Sequence, residues 1–108
     1  LLSAEDVLAL RAAVNDVHAS DALIDYVQAL LSRSRQHPGV RVGLSPRAGI
    51  ALLRAARAYA LLLGRSHVLP EDVQALFAAV AAHRLVPEAE AASASVLAKA
   101  ILHAVPVD

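Results

Sequence analysis

Apolar side chains recur along this chain at steps of three and four residues, inside stretches bounded by helix start and stop signals. That periodicity leaves few folds open. Ser3 and Asp6 have the spacing of a capping box, with Asp in place of the usual Glu or Gln. Val7, Leu8, Leu10, Ala13 and Val14 then fit one helix face to about residue 15. A second helix starts near Ser20-Asp21 and carries Leu23, Ile24, Val27, Leu30 and Leu31 at helical spacing. It ends before His37-Pro38-Gly39, and residues 39–44 read as a short extended loop. Ser45-Pro46 is a clean start for a third helix, with Ser as N-cap and Pro at the first helical position; Gly64 sits where a C′ glycine belongs. On this helix Arg47, Arg54, Arg57 and, just beyond, Arg65 fall on one narrow stripe. The remaining arc, including Leu52, Leu53, Ala56, Ala60 and Leu63, is apolar, which predicts a central helix surrounded by others. A fourth helix opens with Pro70-Glu71-Asp72 and closes at His83-Arg84, its acids and bases matching the macrodipole. Its inner face is Val73, Leu76, Phe77 and Val80. After a break at Val86-Pro87 and an alanine-rich bridge, residues 93–104 make a fifth helix with Val96, Leu97, Ala100 and Ile101 inward.

The class is therefore all-α, a small bundle of about five helices. Hydrophobic residues make up 57% of the chain, which excludes disorder, and most of that excess is alanine and leucine, the strongest helix formers. With two Tyr and one Phe the core must be aliphatic and finely packed. The 108 residues amount to one domain, with an expected radius of gyration of about 13 Å. The absence of cysteine excludes a disulfide framework or a thiolate metal site. The longest apolar run, residues 75–82, is far short of the roughly 20 residues a bilayer requires, and no secretory signal is visible. The expectation is a cytoplasmic chain with no membrane partner. No methionine occurs either, so Leu1 reads as the start of a cut piece or of a processed product.

The formal net charge of zero hides a block structure. Residues 1–32 carry −4, residues 33–65 carry +7 and residues 66–108 carry −3, with no carboxylate between Asp25 and Glu71. Such a block marks an anion site, or the edge of one, on an otherwise acidic molecule. Arg47 is its informative member. It falls at the second position of the third helix, where the macrodipole and free amides already make a cation unfavourable by about 0.3–1 kcal/mol. The same amides and a guanidinium suit a phosphate. The plainer alternative is a solvated surface arginine, or one paired with an acid from another helix.

Other constellations are weaker. His18, His37, His67, His83 and His103 show no zinc-ligand spacing, so no metal site is expected. Ser45 and Ser93 are explained as caps rather than nucleophiles. Neither Gly39 nor Gly43 belongs to a phosphate loop, and the only lysine, Lys99, lies in the last helix. Arg33, Arg35 and Arg41 offer a DNA contact without aromatic interleaving, which disfavours nucleic acid as a partner. A free-standing helical module binding DNA or an acidic partner through the Arg-rich segment is the competing functional reading.

The run Gly43-Leu44-Ser45-Pro46-Arg47-Ala48 resembles the second sensor motif of AAA+ ATPases, in the form used by the MoxR family. Its neighbours agree in order and spacing. Asp25-Tyr26-Val27 and the Arg33, Arg35, His37-Pro38 series precede it. Gly64-Arg65, Val68, Pro70-Glu71-Asp72-Val73 and His83-Arg84-Leu85 follow it. The similarity extends from about Leu2 to Pro106; Ser34 departs from it, since the family often has threonine there.

The resemblance implies that residues 1–108 are the C-terminal helical lid of a larger ATPase whose nucleotide-binding α/β domain is absent. It implies that Ser45, Pro46 and Arg47 contact nucleotide. Arg47 would be the catalytic group that senses the γ-phosphate and helps neutralise transition-state charge. The implied cofactors are ATP and Mg, used in the parent protein and not bound by this fragment alone. The implied partners are the chain's own N-terminal nucleotide-binding domain, a homo-oligomeric and expectedly hexameric ring, and von Willebrand factor A-type proteins. The parent would be a chaperone-like remodeller of client complexes. Walker A and Walker B are missing, so the 108-residue chain is not expected to hydrolyse ATP by itself.

Overall fold

The computed structural model describes residues 3–82, 84–87 and 93–107. Helices α1 (Ala4–Asn15), α2 (Asp21–Gln36), α3 (Pro46–Leu62), α4 (Pro70–Ala82) and α5 (Ala94–Ala104) start where the capping signals place them. At α1 the Ser3 hydroxyl accepts the Asp6 N–H and the Asp6 carboxylate accepts the Ser3 N–H, both at 3.1 Å, completing the capping box. Ser20 caps α2 by accepting the Leu23 N–H at 3.1 Å. At the far end of α3, Gly64 adopts φ +79°. Its N–H reaches the Leu61 carbonyl and the Arg65 N–H reaches the Ala60 carbonyl, each at 2.9 Å, the two bonds of a Schellman motif. The left-handed turn that glycine permits is thus what brings Arg65 round toward α4.

Helix α3 is central: α1, α2 and α4 all pack on it, and α5 closes the other side against α4 and α2. The core is aliphatic, as the composition demands. Leu30, Leu44, Leu52, Val73 and Ile101 are buried around Phe77, with Ala56, Ala60, Ala81 and Ala98 letting the helices approach closely. The Arg84 and Leu85 N–H groups donate to the Ala81 carbonyl as the chain turns out of α4. His83, expected at this helix end, lies outside the described residues.

Four expectations need correction. None of the α1 face is fully buried: Val7, Leu8 and Leu10 are exposed, and Ala13 and Val14 are half-buried. Among the described residues the helix packs chiefly on α3, and one neighbour cannot cover an apolar stripe. In α5 Val96 is 65% exposed, whereas Leu97, Ala98 and Ile101 are buried. The helix is rotated about one residue from the expected phase. Helix α3 is central but not enclosed, since Ile50, Leu62 and Leu63 project outward. Lastly, Val86–Pro87 is more than a break. It forms β2, paired antiparallel with β1 (Val40–Val42) in a two-stranded ribbon with one irregularity between Val40 and Val42. Proline is admissible there because a two-stranded ribbon is all edge.

A second backbone pairing ties the connections together. The His18 N–H donates to the Ser66 carbonyl at 2.9 Å, and the Val68 N–H donates to the His18 carbonyl at 2.8 Å. The α1–α2 linker is thereby held against the α3–α4 loop. The radius of gyration is 14.9 Å over extents of 45 × 33 × 20 Å, larger than the sequence suggests because the molecule is flat. Among the described residues, no helix is long and apolar enough to cross a membrane.

Candidate functional site

The start of α3 is built as the Ser45-Pro46 pair dictates. Ser45 is extended (φ −81°, ψ 165°), its hydroxyl accepts the Ala48 N–H at 3.2 Å, and its carbonyl accepts the Gly49 N–H at 3.2 Å. Pro46 has no N–H to offer. Within the first turn, the backbone donor left over is that of Arg47 itself. One backbone amide and one guanidinium are therefore offered by the same residue, where the sequence suggests several free amides. Arg47 is exposed, and among the described residues the only ion pair is Arg65–Asp72, so none of their carboxylates neutralises it. Ser45 and Pro46 are exposed beside it, while Ala48 and Gly49 are buried and anchor the turn.

What anchors this turn lies in α2. Ser34, fully buried, donates to the Leu31 carbonyl at 2.6 Å and accepts the Leu44 N–H at 2.9 Å. Gly43 presses on the α2 backbone so closely that a Cβ there would stand 2.7 Å from Arg35 Cα. Leu44, only 1% exposed, inserts into the core one residue before the cap. Beside the turn, Ile24, Val27, Leu31, Arg35, Pro46 and Ile50 help line an open groove of about 570 Å³ between α2 and α3.

The arginine block does not form one field. Arg65 is consumed by Asp72, whose two carboxylate oxygens each accept from a guanidinium nitrogen at 2.6 Å. Asp72 also accepts the Leu69 N–H at 2.7 Å, capping α4 where Leu69 has no side-chain acceptor to give. The Arg65 hydrogen bonds, chiefly, hold the Asp72 carboxyl below the usual carboxylate range; burial opposes them, and the Leu69 N–H and the charges of Arg65 and His67 assist. The same hydrogen bonds raise the Arg65 pKa. Arg33 and Arg57 are half-buried, each with a buried Nε lacking a partner. Arg54 lies by α1, sharing a cavity of about 660 Å³ with Val7, Leu10 and Val14. The expected stripe of Arg47, Arg54, Arg57 and Arg65 thus divides into unlike roles. Ser34 was legible only as a departure from the family's usual threonine, and Gly43 only as the first residue of the run that ends at Ala48.

This five-helix arrangement is that of an AAA+ lid. The AAA lid domain family matches residues 32–104, and the chain belongs to it. It is a lid of the MoxR type. It is 39% identical over 102 residues to the uncharacterised protein YeaC of Bacillus subtilis, covering 94% of this chain and 32% of that protein. With chaperone MoxR1 of Mycobacterium tuberculosis it shares 39% identity over 97 residues, 80% of this chain and 25% of the other. With protein MoxR of Paracoccus denitrificans it shares 43% over 81 residues, 63% and 24% of the two chains. A crystal structure of a candidate ATPase from Cytophaga hutchinsonii superimposes with a TM-score of 0.89 at 31% identity, over 96% of this chain and 36% of that one. The chain spans between about a quarter and a third of the length of these relatives.

Proposed function

We propose that this lid reports the phosphate state of a nucleotide bound by a MoxR-like AAA+ ATPase, with Arg47 as its second-sensor arginine. In this reading residues 1–108 follow a nucleotide-binding α/β domain, and ATP is held between the two. The observation that carries it is the exposed Arg47 at the second position of α3, without an ion-pair partner among the described residues, where its guanidinium and N–H can meet one phosphate group. A cation there opposes the helix dipole, and an incoming polyphosphate reverses the sign of that interaction. Ser45 and Pro46 set the turn on which Arg47 stands exposed.

No carboxylate occurs between Asp25 and Glu71, so magnesium is assigned to the nucleotide-binding domain and to no residue of the α3 start. Because lid and catalytic domain contact the same ligand, loss of the γ-phosphate biases their relative orientation, which is the motion passed on to clients. The family resemblance supplies the rest of the reading: a homo-oligomeric, hexameric ring in the cytoplasm, acting with von Willebrand factor A-type proteins to remodel client complexes. The name chaperone MoxR1 carried by one relative supports the remodelling role.

The test is Arg47→Ala in the ATPase that carries this lid. Hydrolysis should fall by about ten- to a thousand-fold with the fold retained. An unchanged rate in a folded variant refutes the assignment.

A further inference from the structure

We infer that Ser34 is a positioning residue that aims Arg47, with Gly43 as the second point of the same seat. The inference rests on the reading of Arg47 as the nucleotide sensor. Arg47 has no ion-pair partner among the described residues, so the direction of its side chain depends on where the first turn of α3 sits. That turn is fixed by α2. Ser34 occupies the buried face of α2, beside Leu30 and Leu31, at a position where packing alone calls for an apolar residue. Its hydroxyl satisfies two demands at once. Donation to the Leu31 carbonyl at 2.6 Å orients the oxygen, and the lone pair left over accepts the Leu44 N–H, ten residues further along the chain, at 2.9 Å.

Leu44 immediately precedes the Ser45 cap, so this bond fixes the register between α2 and the start of α3. Gly43 adds contact at backbone level: a Cβ there would stand 2.7 Å from Arg35 Cα and 2.8 Å from Arg35 N, which only displacement of the loop could relieve. On the other side of Arg47, Gly49 packs against Leu31, whose Cδ1 would stand 2.5 Å from a Cβ there and would have to shift. Contacts at residues 43, 44 and 49 therefore bracket residue 47, and all three are made to the stretch of α2 that holds Ser34. A threonine keeps the hydroxyl and so preserves the device.

The experiment compares Ser34→Ala, Ser34→Thr, Gly43→Ala and Arg47→Ala in the ATPase carrying this lid, reading kcat, KM for ATP and hydrogen exchange at the Leu44 amide. Ser34→Ala should lower kcat about tenfold with KM changed less than about twofold, and should accelerate Leu44 exchange. Ser34→Thr should restore both. Gly43→Ala should reproduce the kcat loss with the hydroxyl intact, which keeps the idea testable should Ser34→Ala not fold. In an Arg47→Ala background, Ser34→Ala should cause no further loss of kcat, whereas a merely structural serine would lower it again. Full kcat in folded Ser34→Ala or Gly43→Ala, with Arg47→Ala still impaired, overturns the positioning role and leaves the sensor reading standing. Full kcat in Arg47→Ala removes both.

Discussion

Asp72 and Arg47 show how two charges placed near helix starts come to serve opposite ends. Asp72 is buried and fully engaged, closing α4 through Leu69 and drawing the Schellman turn of α3 against it through Arg65. Its pKa in the folded chain lies below the ordinary value of 3.8, so the unfolded chain binds more protons in that range. The stabilisation is therefore complete above the ordinary value and is lost as pH falls through the lower, folded-state value. Melting followed from about pH 6 down to 2 should show this loss in the wild type and a flatter profile in Asp72→Ala. The same variant should lose about 2–3 kcal/mol at neutral pH, at the low end for a broken pair because Arg65 keeps 26% of its side-chain surface in water. Arg47 is the reverse case. Its removal should leave stability unchanged or raise it by about 0.3–1 kcal/mol, because a cation leaves a positive helix end. A large drop in melting temperature would make the residue structural.

At the scale of elements, capping chemistry was the most legible signal, because each cap is a local bond between residues three apart: Ser3, Ser20 and Ser45 all form theirs. The identity of a helix face was legible only where apolar residues are few enough for one phase to bury them together, as in α2, where Leu23, Val27, Leu30 and Leu31 are buried. In α5 nearly every side chain is apolar, so the pattern permits several phases and packing against α4 selects Leu97, Ala98 and Ile101 over Val96. Ile101→Ala should accordingly cost about 2–4 kcal/mol by chemical denaturation, while Val96→Ala stays within about 0.5 kcal/mol. Equal losses would mean the helix is rotated as the sequence first suggests. The ribbon of β1 and β2 was not legible, because three residues and two residues carry no periodicity and their pairing is a consequence of where the helices end.

For the whole molecule, the flat shape and the exposed α1 face follow from a chain that supplies helices on too few sides to cover its own apolar surface. The fold class followed from composition and periodicity. The candidate site followed from the position of Arg47 at a helix start together with a motif, since burial alone does not separate it from Arg54, and the seat made by Ser34 and Gly43 depends on contacts between distant stretches of chain. The purified 108-residue chain should release no phosphate from magnesium and ATP above background. A magnesium-dependent turnover would place catalytic groups in the lid that the present account does not contain. The most direct measurement is the preference of the lid-bearing ATPase for a non-hydrolysable ATP analogue over ADP, taken with and without Arg47. The wild type should favour the triphosphate and Arg47→Ala should lose most of that preference while binding ADP nearly unchanged. An identical preference in both proteins would show that the γ-phosphate is read elsewhere.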